Sequence, residues 1–235
     1  MMFDVHCHML PGIDDGSKNT DMSLEMIRRS VDQGIEGIVF TPHFYADMNS
    51  PETFLKNREA SLEHLKSRLD ELDQVPAYCT GAEVHFFRGM SRFPGLESLC
   101  IGKSNFILIE MPFRDWQSAY IDEIEEISRV VGLNVIIAHI ERYFDQDKRL
   151  VNRLLDNPDL LIQCNAEFFI EKHSNRKAMK FLKSGRIDLL ASDSHNLESR
   201  RPNIGEAVEI IRKKDKNGAL DHFHNTGKMI FNAAL

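Results

Sequence analysis

Short apolar runs in this chain keep ending on a metal-ligating side chain, and that placement restricts the fold more than any other feature. The runs are Phe3–His6, Gly37–Thr41, Ala77–Gly81, Phe106–Glu110, Asn134–His139, Leu160–Asn165 and Asp188–Ser192. Most are rich in Val, Ile, Leu or Phe, as strands covered on both faces should be. Six of the seven lead into polar ligand residues: His6-Cys7-His8, Thr41-Pro42-His43, Gly81-Ala82-Glu83, Glu110, His139 and Ser192-Asp193-Ser194-His195. In a parallel barrel all strand ends meet on one face, which carries the active site.

Between the runs lie helical patterns at Thr20–Gln33, Pro51–Leu72, Gln117–Val131, Asp147–Asp156, Asn175–Lys183 and Gly205–Lys214. The second spaces Phe54, Leu55, Leu62, Leu65 and Leu69 at helical intervals. Gly34, Gly132 and Gly185 follow three of these helices, where a left-handed cap favours glycine. Seven strands alternating with helices in 235 residues predict an α/β chain. The expected architecture is one domain over 1–235, a distorted (β/α)7 TIM-like barrel with its site at the C-terminal face of the strands. The stretch from Val84 to Ser104 is the least regular and is expected to form a long loop or small excursion.

A net charge of −7 disfavours a nonspecific nucleic-acid partner, which needs a basic surface. Cys7, Cys79, Cys100 and Cys164 form no C-x-x-C pair, which suits a reduced compartment. The opening MMFDVHCHMLPG lacks a basic region and a long apolar stretch, so no signal peptide is expected. No run nears the roughly 18 apolar residues of a membrane span, so a cytoplasmic, non-embedded protein is expected.

Each ligand candidate has an ordinary alternative when taken singly. His6 and His8, two apart on an extended chain, point the same way and can reach one ion; Cys7 points away and packs. The pair His222-Phe223-His224 has the same spacing but no strand before it, and reads as surface or local packing. His43 alone could be a turn residue. Glu83 and Glu110 alone could be paired carboxylates, but burying such groups is costly without a cation. Lys and Arg are absent from the strand ends, so metal is the economical partner. Asp193 and His195 repeat the two-residue spacing. Asp14, in the loop Leu10-Pro11-Gly12-Ile13-Asp14-Asp15-Gly16, leaves the first strand on the same face and is included; Asp15 reads as a turn residue or outer acid.

The set is therefore His6, His8, Asp14, His43, Glu83, Glu110, His139, Asp193 and His195. Nine ligands exceed the four or so that one zinc takes, and suit two or three ions with a bridging carboxylate. Three divalent ions carry +6 against −4 from four carboxylates, leaving a centre that attracts a phosphate dianion. Mixed His and carboxylate ligation suits manganese, iron or zinc. Arg142 follows His139, and Arg200 with Arg201 follows His195; guanidinium forks match phosphate oxygens. No cysteine is followed six positions on by Arg, so a cysteine-phosphatase loop is absent, as is a G-x4-G-K loop.

On DVHCHMLPGIDDGSKN, FTPHF, GAEV, ILIEMP, AHIERY and SDSHNLESRRP, the sequence resembles the polymerase-and-histidinol-phosphatase (PHP) superfamily. Within it, the chain is similar to the CpsB/YwqE-like branch of bacterial tyrosine phosphatases from polysaccharide gene clusters. The resemblance spans nearly the whole chain. It implies His6, His8 and Asp193 on one ion, Glu83 bridging to a second completed by Glu110 and His139, and Asp14, His43 and His195 on a third, with manganese the first choice of metal. Arg142 and Arg200 match the branch's phosphate-binding arginines. Arg201 stands where proline is common, which leaves open which arginine of that pair faces phosphate; Ile140 replaces a common Pro or Ala. The implied reaction is in-line hydrolysis of phosphotyrosine by metal-activated water. The implied substrate is the phosphotyrosine-bearing C-terminal tail of a bacterial autokinase that controls capsular or exopolysaccharide synthesis. The alternative is a histidinol-phosphate or other small-molecule phosphomonoesterase of the same superfamily. A metal-stabilised binding module without turnover is the rival from outside enzymes.

Overall fold

The computed structural model describes residues 2–215 and 217–235. All its strand pairs are parallel. The strands are β1 (Met2–Cys7), β2 (Ile35–Phe40), β3 (His43–Phe44), β4 (Ala77–Thr80), β5 (Glu83–His85), β6 (Phe106–Glu110), β7 (Asn134–Ile137), β8 (Leu160–Asn165) and β9 (Leu189–Ala191). They form two sheets, ordered β1-β2-β4 and β3-β5-β6-β7-β8-β9.

The α/β class with parallel strands is as expected; in place of seven strands in one barrel, the described residues form nine strands in two sheets that do not close. The second and third runs are each followed, two residues on, by a further short strand, β3 and β5. Pro42 has no N–H for the ladder, and the chain bends there from one sheet into the other. The register survives the bend. Gly37 faces Ala77, Phe40 faces Thr80 and His43 faces Glu83, a constant offset. Gly81 N–H donates to the Phe40 carbonyl at 2.8 Å and Glu83 N–H to the Pro42 carbonyl at 3.1 Å, so backbone bonding carries the pair across the break. The other seam lies between β1 and β9. There Asp193 N–H donates to the His6 carbonyl at 2.8 Å and His8 N–H to the Ser194 carbonyl at 2.9 Å, around a single bridge from Cys7 to Ser194.

The helices are α1 (Thr20–Asp32), α2 (Pro51–Lys66), α3 (Ser118–Glu126), α4 (Lys148–Leu155), α5 (Glu167–Ile170), α6 (Asn175–Leu182), α7 (Ile204–Lys214) and α8 (Ala219–Ala234). Asn19 caps α1, its side chain accepting from Met22 N–H at 2.9 Å, and Leu24, Met26 and Ile27 turn inward. Ser50 caps α2, with Pro51 in the first turn. That helix stops at Lys66, short of the expected Leu72, and continues as a 3-10 turn at Leu69–Glu71. The segment from Val84 to Ser104 is well packed: it begins in β5, and two 3-10 turns bury Met90, Leu96 and Leu99.

Helix α8 was not among the expected helices, although Phe223, Ile230, Phe231 and Ala234 recur at helical spacing. It buries Phe223, Ile230 and Phe231, the last against Phe3 of β1 with ring centroids 5.4 Å apart. The His222-Phe223-His224 triplet lies on this helix, away from the strand ends. Phe223 is buried, His222 meets Asp188 at 3.2 Å, and the His224 ring lies 5.7 Å from that of Phe3. The end of α8 docks on Gly102, whose φ is +53° and whose missing Cβ would collide with the Ala234 carbonyl. Lys103 N–H donates to that same carbonyl at 2.9 Å.

Gly102→Ala is expected to cost about 3 kcal/mol, from left-handed strain plus overpacking. That corresponds to a melting temperature roughly 6–12 °C lower. Gly34→Ala, with φ +81° but open space around it, should cost only about 1 kcal/mol. Equal melting temperatures for the two variants would show that the α8 docking is wrongly drawn.

Candidate metal centre and its surroundings

The strand ends converge as the sequence predicts, and Glu83 is the point on which they close. Its Oε2 is ringed by His6 Nε2 at 3.2 Å, His8 Nε2 at 3.1 Å and His43 Nδ1 at 3.0 Å. Its Oε1 meets His139 Nε2 at 2.8 Å. Asp193 Oδ1 stands 3.5 Å from the Nε2 atoms of both His6 and His8. Three groups bring ligand atoms within 4.8 Å of one another: His6, His8, Glu83 and Asp193; His43, Glu83 and Glu110; and His8, Asp15, His43 and His195.

Tautomers show what this cluster is built to hold. His6 Nδ1–H donates to Gln163 Oε1 at 3.1 Å, His8 Nδ1–H to Asp14 Oδ2 at 2.7 Å and His195 Nδ1–H to the Asp193 carbonyl at 2.9 Å. Each ring therefore turns its Nε2 toward the shared centre, where a metal would replace any proton it carries, the orientation that outer hydrogen bonds impose on metal-ligating imidazoles. Glu83 Oε2 and His195 Nε2 are buried without an aligned hydrogen bond. The nitrogens around Oε2 lie at 3.0–3.2 Å, close enough to share charge with it but off the line of a well-formed hydrogen bond. A buried carboxylate oxygen ringed by imidazole nitrogens that can give up their protons fits a cation between them.

Electrostatics follow from this crowding. Burial alone would lower His8, yet hydrogen bonds to Asp14 and Glu83 raise it to about 10. His139 rises to about 9 against its burial, through Glu110 and Glu83. Burial opposes ionisation of Glu83, but the charge on His6 and hydrogen bonds from His139 and His43 hold it well below the carboxylate range. Glu110 falls to about 2 against its burial, through hydrogen bonds from His139 and His85. His195 drops to about 3, first from burial and then from the positive His8. The non-glycine residues with positive φ, among those described, are His139 at 31° and Asp193 at 50°. Strained backbone at two ligand candidates is held by the surrounding packing and aims their side chains inward.

The two expected arginines reach the cluster. Arg142 Nη2 donates to Asp193 Oδ2 at 2.6 Å and Arg200 Nη2 to Oδ1 at 2.7 Å, with side chains 31% and 30% exposed. Arg201 does not reach it. Its Nη2 donates to both carboxylate oxygens of Glu206 of α7 at 2.6 and 2.9 Å, whereas the neighbouring Arg200 faces Asp193. Asp14 stands behind His8 and outside the three candidate groups. Its carboxylate is occupied by His8 Nδ1–H and the N–H groups of Gly16 and His43. Asp15 turns toward the cluster instead, its Oδ1 3.4 Å from the Nε2 atoms of His43 and His195. Adjacent acids in a turn point apart, and the loop decides which faces in. Gly16 permits this, because a side chain there would collide with His8.

Sequence reasoning missed three supporting residues. Gln163 Oε1 accepts both His6 Nδ1–H and, at 2.7 Å, His139 N–H. Asn165 donates to Asp193 Oδ2 at 2.8 Å and accepts from Gln163 at 2.8 Å. His85 Nδ1 meets Glu110 Oε2 at 2.8 Å. A signal existed: Gln163 and Asn165 alternate on the one strand without a metal-type ligand, and His85 sits two residues past Glu83.

Comparison with known proteins places the chain among relatives over most of its length. A family model described as "Capsular polysaccharide synthesis, CpsB/CapC" matches residues 2–231. The tyrosine-protein phosphatase CpsB of Streptococcus pneumoniae is 32% identical over 91% of this chain and 90% of its own. The tyrosine-protein phosphatase YwqE of Bacillus subtilis is 29% identical over 91% and 85%. A crystal structure from work on YwqE and CpsB, described as metal-dependent tyrosine phosphatases, superposes with TM-score 0.84 at 23% identity, covering 100% of this chain and 96% of that one. A phosphotriesterase homology protein of Escherichia coli, complexed with phosphate, has TM-score 0.51 at 11% identity over 98% and 97%, and shares the general fold.

Gln163→Leu keeps the side chain's size but strands two buried donors, each costing about 1–3 kcal/mol. The metal-free variant is expected to melt several degrees lower; an unchanged melting curve would contradict the bonding described.

Proposed function

Since this chain belongs to the CpsB/CapC family of capsular polysaccharide synthesis proteins, we propose that it is a metal-dependent tyrosine-protein phosphatase. The observation that carries this reading is the set of imidazole Nε2 atoms aimed at one buried centre, with two arginines at its rim. His6, His8, Glu83 and Asp193 would hold one divalent ion. His43, Glu83 and Glu110, with His139 beside them, would hold a second. Asp15, His43 and His195 would hold a third. Asp14 acts as a positioning residue through His8. Manganese is the proposed metal, with iron or zinc compatible with the same ligands. When bound, such ions supply a nucleophilic water near neutral pH and neutralise phosphate charge.

The protein's own groups do the rest. Arg142 and Arg200 each spend one nitrogen on Asp193, which fixes the guanidinium planes. Their remaining N–H groups are free to hold phosphoryl oxygens and to stabilise charge as the ester bond breaks. A tyrosinate leaving group, with a pKa of about 10, needs little protonation, so no general acid has to be found among these residues. The proposed physiological substrate is the phosphotyrosine-bearing C-terminal tail of a bacterial autokinase in polysaccharide synthesis, and the proposed location is the cytoplasm. No helix among the described residues is long and apolar enough to cross a membrane. We take residues 1–235 as one domain, and its two sheets as a distorted, opened relative of the (β/α) barrel, with the bond from Asp193 to His6 lying at the open seam.

Chelation with EDTA is expected to abolish turnover of a phosphotyrosine peptide, and manganese to restore it. Activity that ignores chelation, or a clear preference for histidinol phosphate, would overturn the proposal. Arg142→Ala or Arg200→Ala should each lower kcat/KM about 10²–10³-fold, the usual cost of losing one charge-stabilising donor. In the metal-free protein, His8 and His139 keep their protons up to about pH 10 and 9, whereas a metal needs neutral imidazole. Metal uptake at pH 7 should therefore release about one proton or more, and affinity should climb as pH rises toward those values. Calorimetric titrations in buffers of different ionisation enthalpy measure the release; identical enthalpies in all buffers would contradict it.

A further inference from the structure

A groove of about 610 Å³ runs outward from the cluster, and the chemistry above makes no use of it. Tyr45, His85 and Phe113 line its inner end. The Tyr45 ring lies 5.4 Å from the rings of both His43 and His85. Phe113 lies nearly parallel to His139, 15° between planes and 6.3 Å between centroids, while 57% of its surface faces water. Two aromatic faces at the mouth of a phosphate site suit an aryl group.

Arg88 and Arg114 line the outer end. Both guanidinium carbons sit 5.5 Å from the ring centroid of one buried residue, Tyr120. Arg88 also donates to Gln117. Like charges gathered on one ring repel, and among the described residues neither arginine has a carboxylate partner to offset this. Arg68, Arg153 and Arg201, also on the surface, all have one. Asp47 is the single carboxylate lining the groove and pairs with neither arginine. Two pre-positioned guanidinium forks without an internal anion are a site for an external one.

We infer that this groove receives the stretch of peptide flanking the phosphotyrosine, with Arg88 and Arg114 binding an acidic side chain of that same peptide. The inference rests on the tyrosine-phosphatase reading and adds a preference for acidic sequence around the target. The groove is continuous with the cluster through Tyr45 and His85, so one extended segment can occupy both ends. Arg88 and Arg114 would contribute to KM and leave the chemical step to Arg142 and Arg200.

The test uses the manganese-loaded protein and three phosphotyrosine peptides of equal length, flanked by Glu, Ala or Lys, beside a simple aryl phosphate. Wild type is expected to favour the Glu peptide over the Ala peptide by roughly five- to tenfold in KM, with similar kcat, and to lose that preference in high salt. Arg88→Ala with Arg114→Ala should bring the Glu-to-Ala ratio close to one. Arg88→Glu with Arg114→Glu should favour the Lys peptide instead, a gain that misfolding cannot produce. Equal KM for Glu and Ala peptides in wild type, or a preference that survives the double Ala variant, would overturn the groove assignment alone, provided that aryl phosphate is hydrolysed. No turnover of aryl phosphate by wild type would instead reject the phosphatase reading, and this inference with it.

Discussion

The structure depends on one charge problem: four carboxylates and five imidazoles are gathered at the buried ends of parallel strands. Glu83 is its focus, fully buried and contacted by His6, His8, His43 and His139. An ionised carboxylate in such a place is tolerable only with compensating positive charge. Protonated imidazoles supply it in the metal-free protein, which is why His8 and His139 are driven up while Glu83 and Glu110 are driven down. Divalent ions would replace those protons with more charge at shorter range. The same ligand set thus stabilises the fold in one state and sets up chemistry in the other.

Around that focus, neutral polar groups fix orientation. Gln163 bridges His6 and the strained backbone at His139, and Asn165 ties Gln163 to Asp193. Asp193 in turn anchors both rim arginines. One carboxylate therefore links the buried centre to the open face where phosphate would arrive. Its own backbone, at φ 50°, is held by the bond from its N–H to His6 across the seam between β1 and β9. Geometry at the seam and geometry at the site are the same constraint.

That dependence also explains why the sheets need not close. The functional requirement is that strand ends share one face, and two sheets joined by in-register segments meet it. Pro42 bends the chain without shifting the pairing, so His43 still lies opposite Glu83. A fully hydrogen-bonded cylinder would hold the two runs straight past the bend.

Much of this was legible in the residues. Parallel pairing and the gathering of polar strand ends on one face follow from where polar residues fall relative to apolar runs, because strand direction alone sends those ends to one side. The sequence could not say which of Asp14 and Asp15 faces inward, since that depends on how the Gly16 turn folds over His8. It could not separate Arg200 from Arg201, since Glu206 on a later helix captures the second. Helix α8 shows its apolar spacing in the sequence, but that it covers Phe3 and docks on Gly102 is decided by packing between the two ends of the chain. Gln163, Asn165 and His85 stood at alternating strand positions, but each acts through a partner distant in sequence that the pattern does not name. Local pattern determined what type of group stands at each strand end; long-range packing alone decided which atoms face one another.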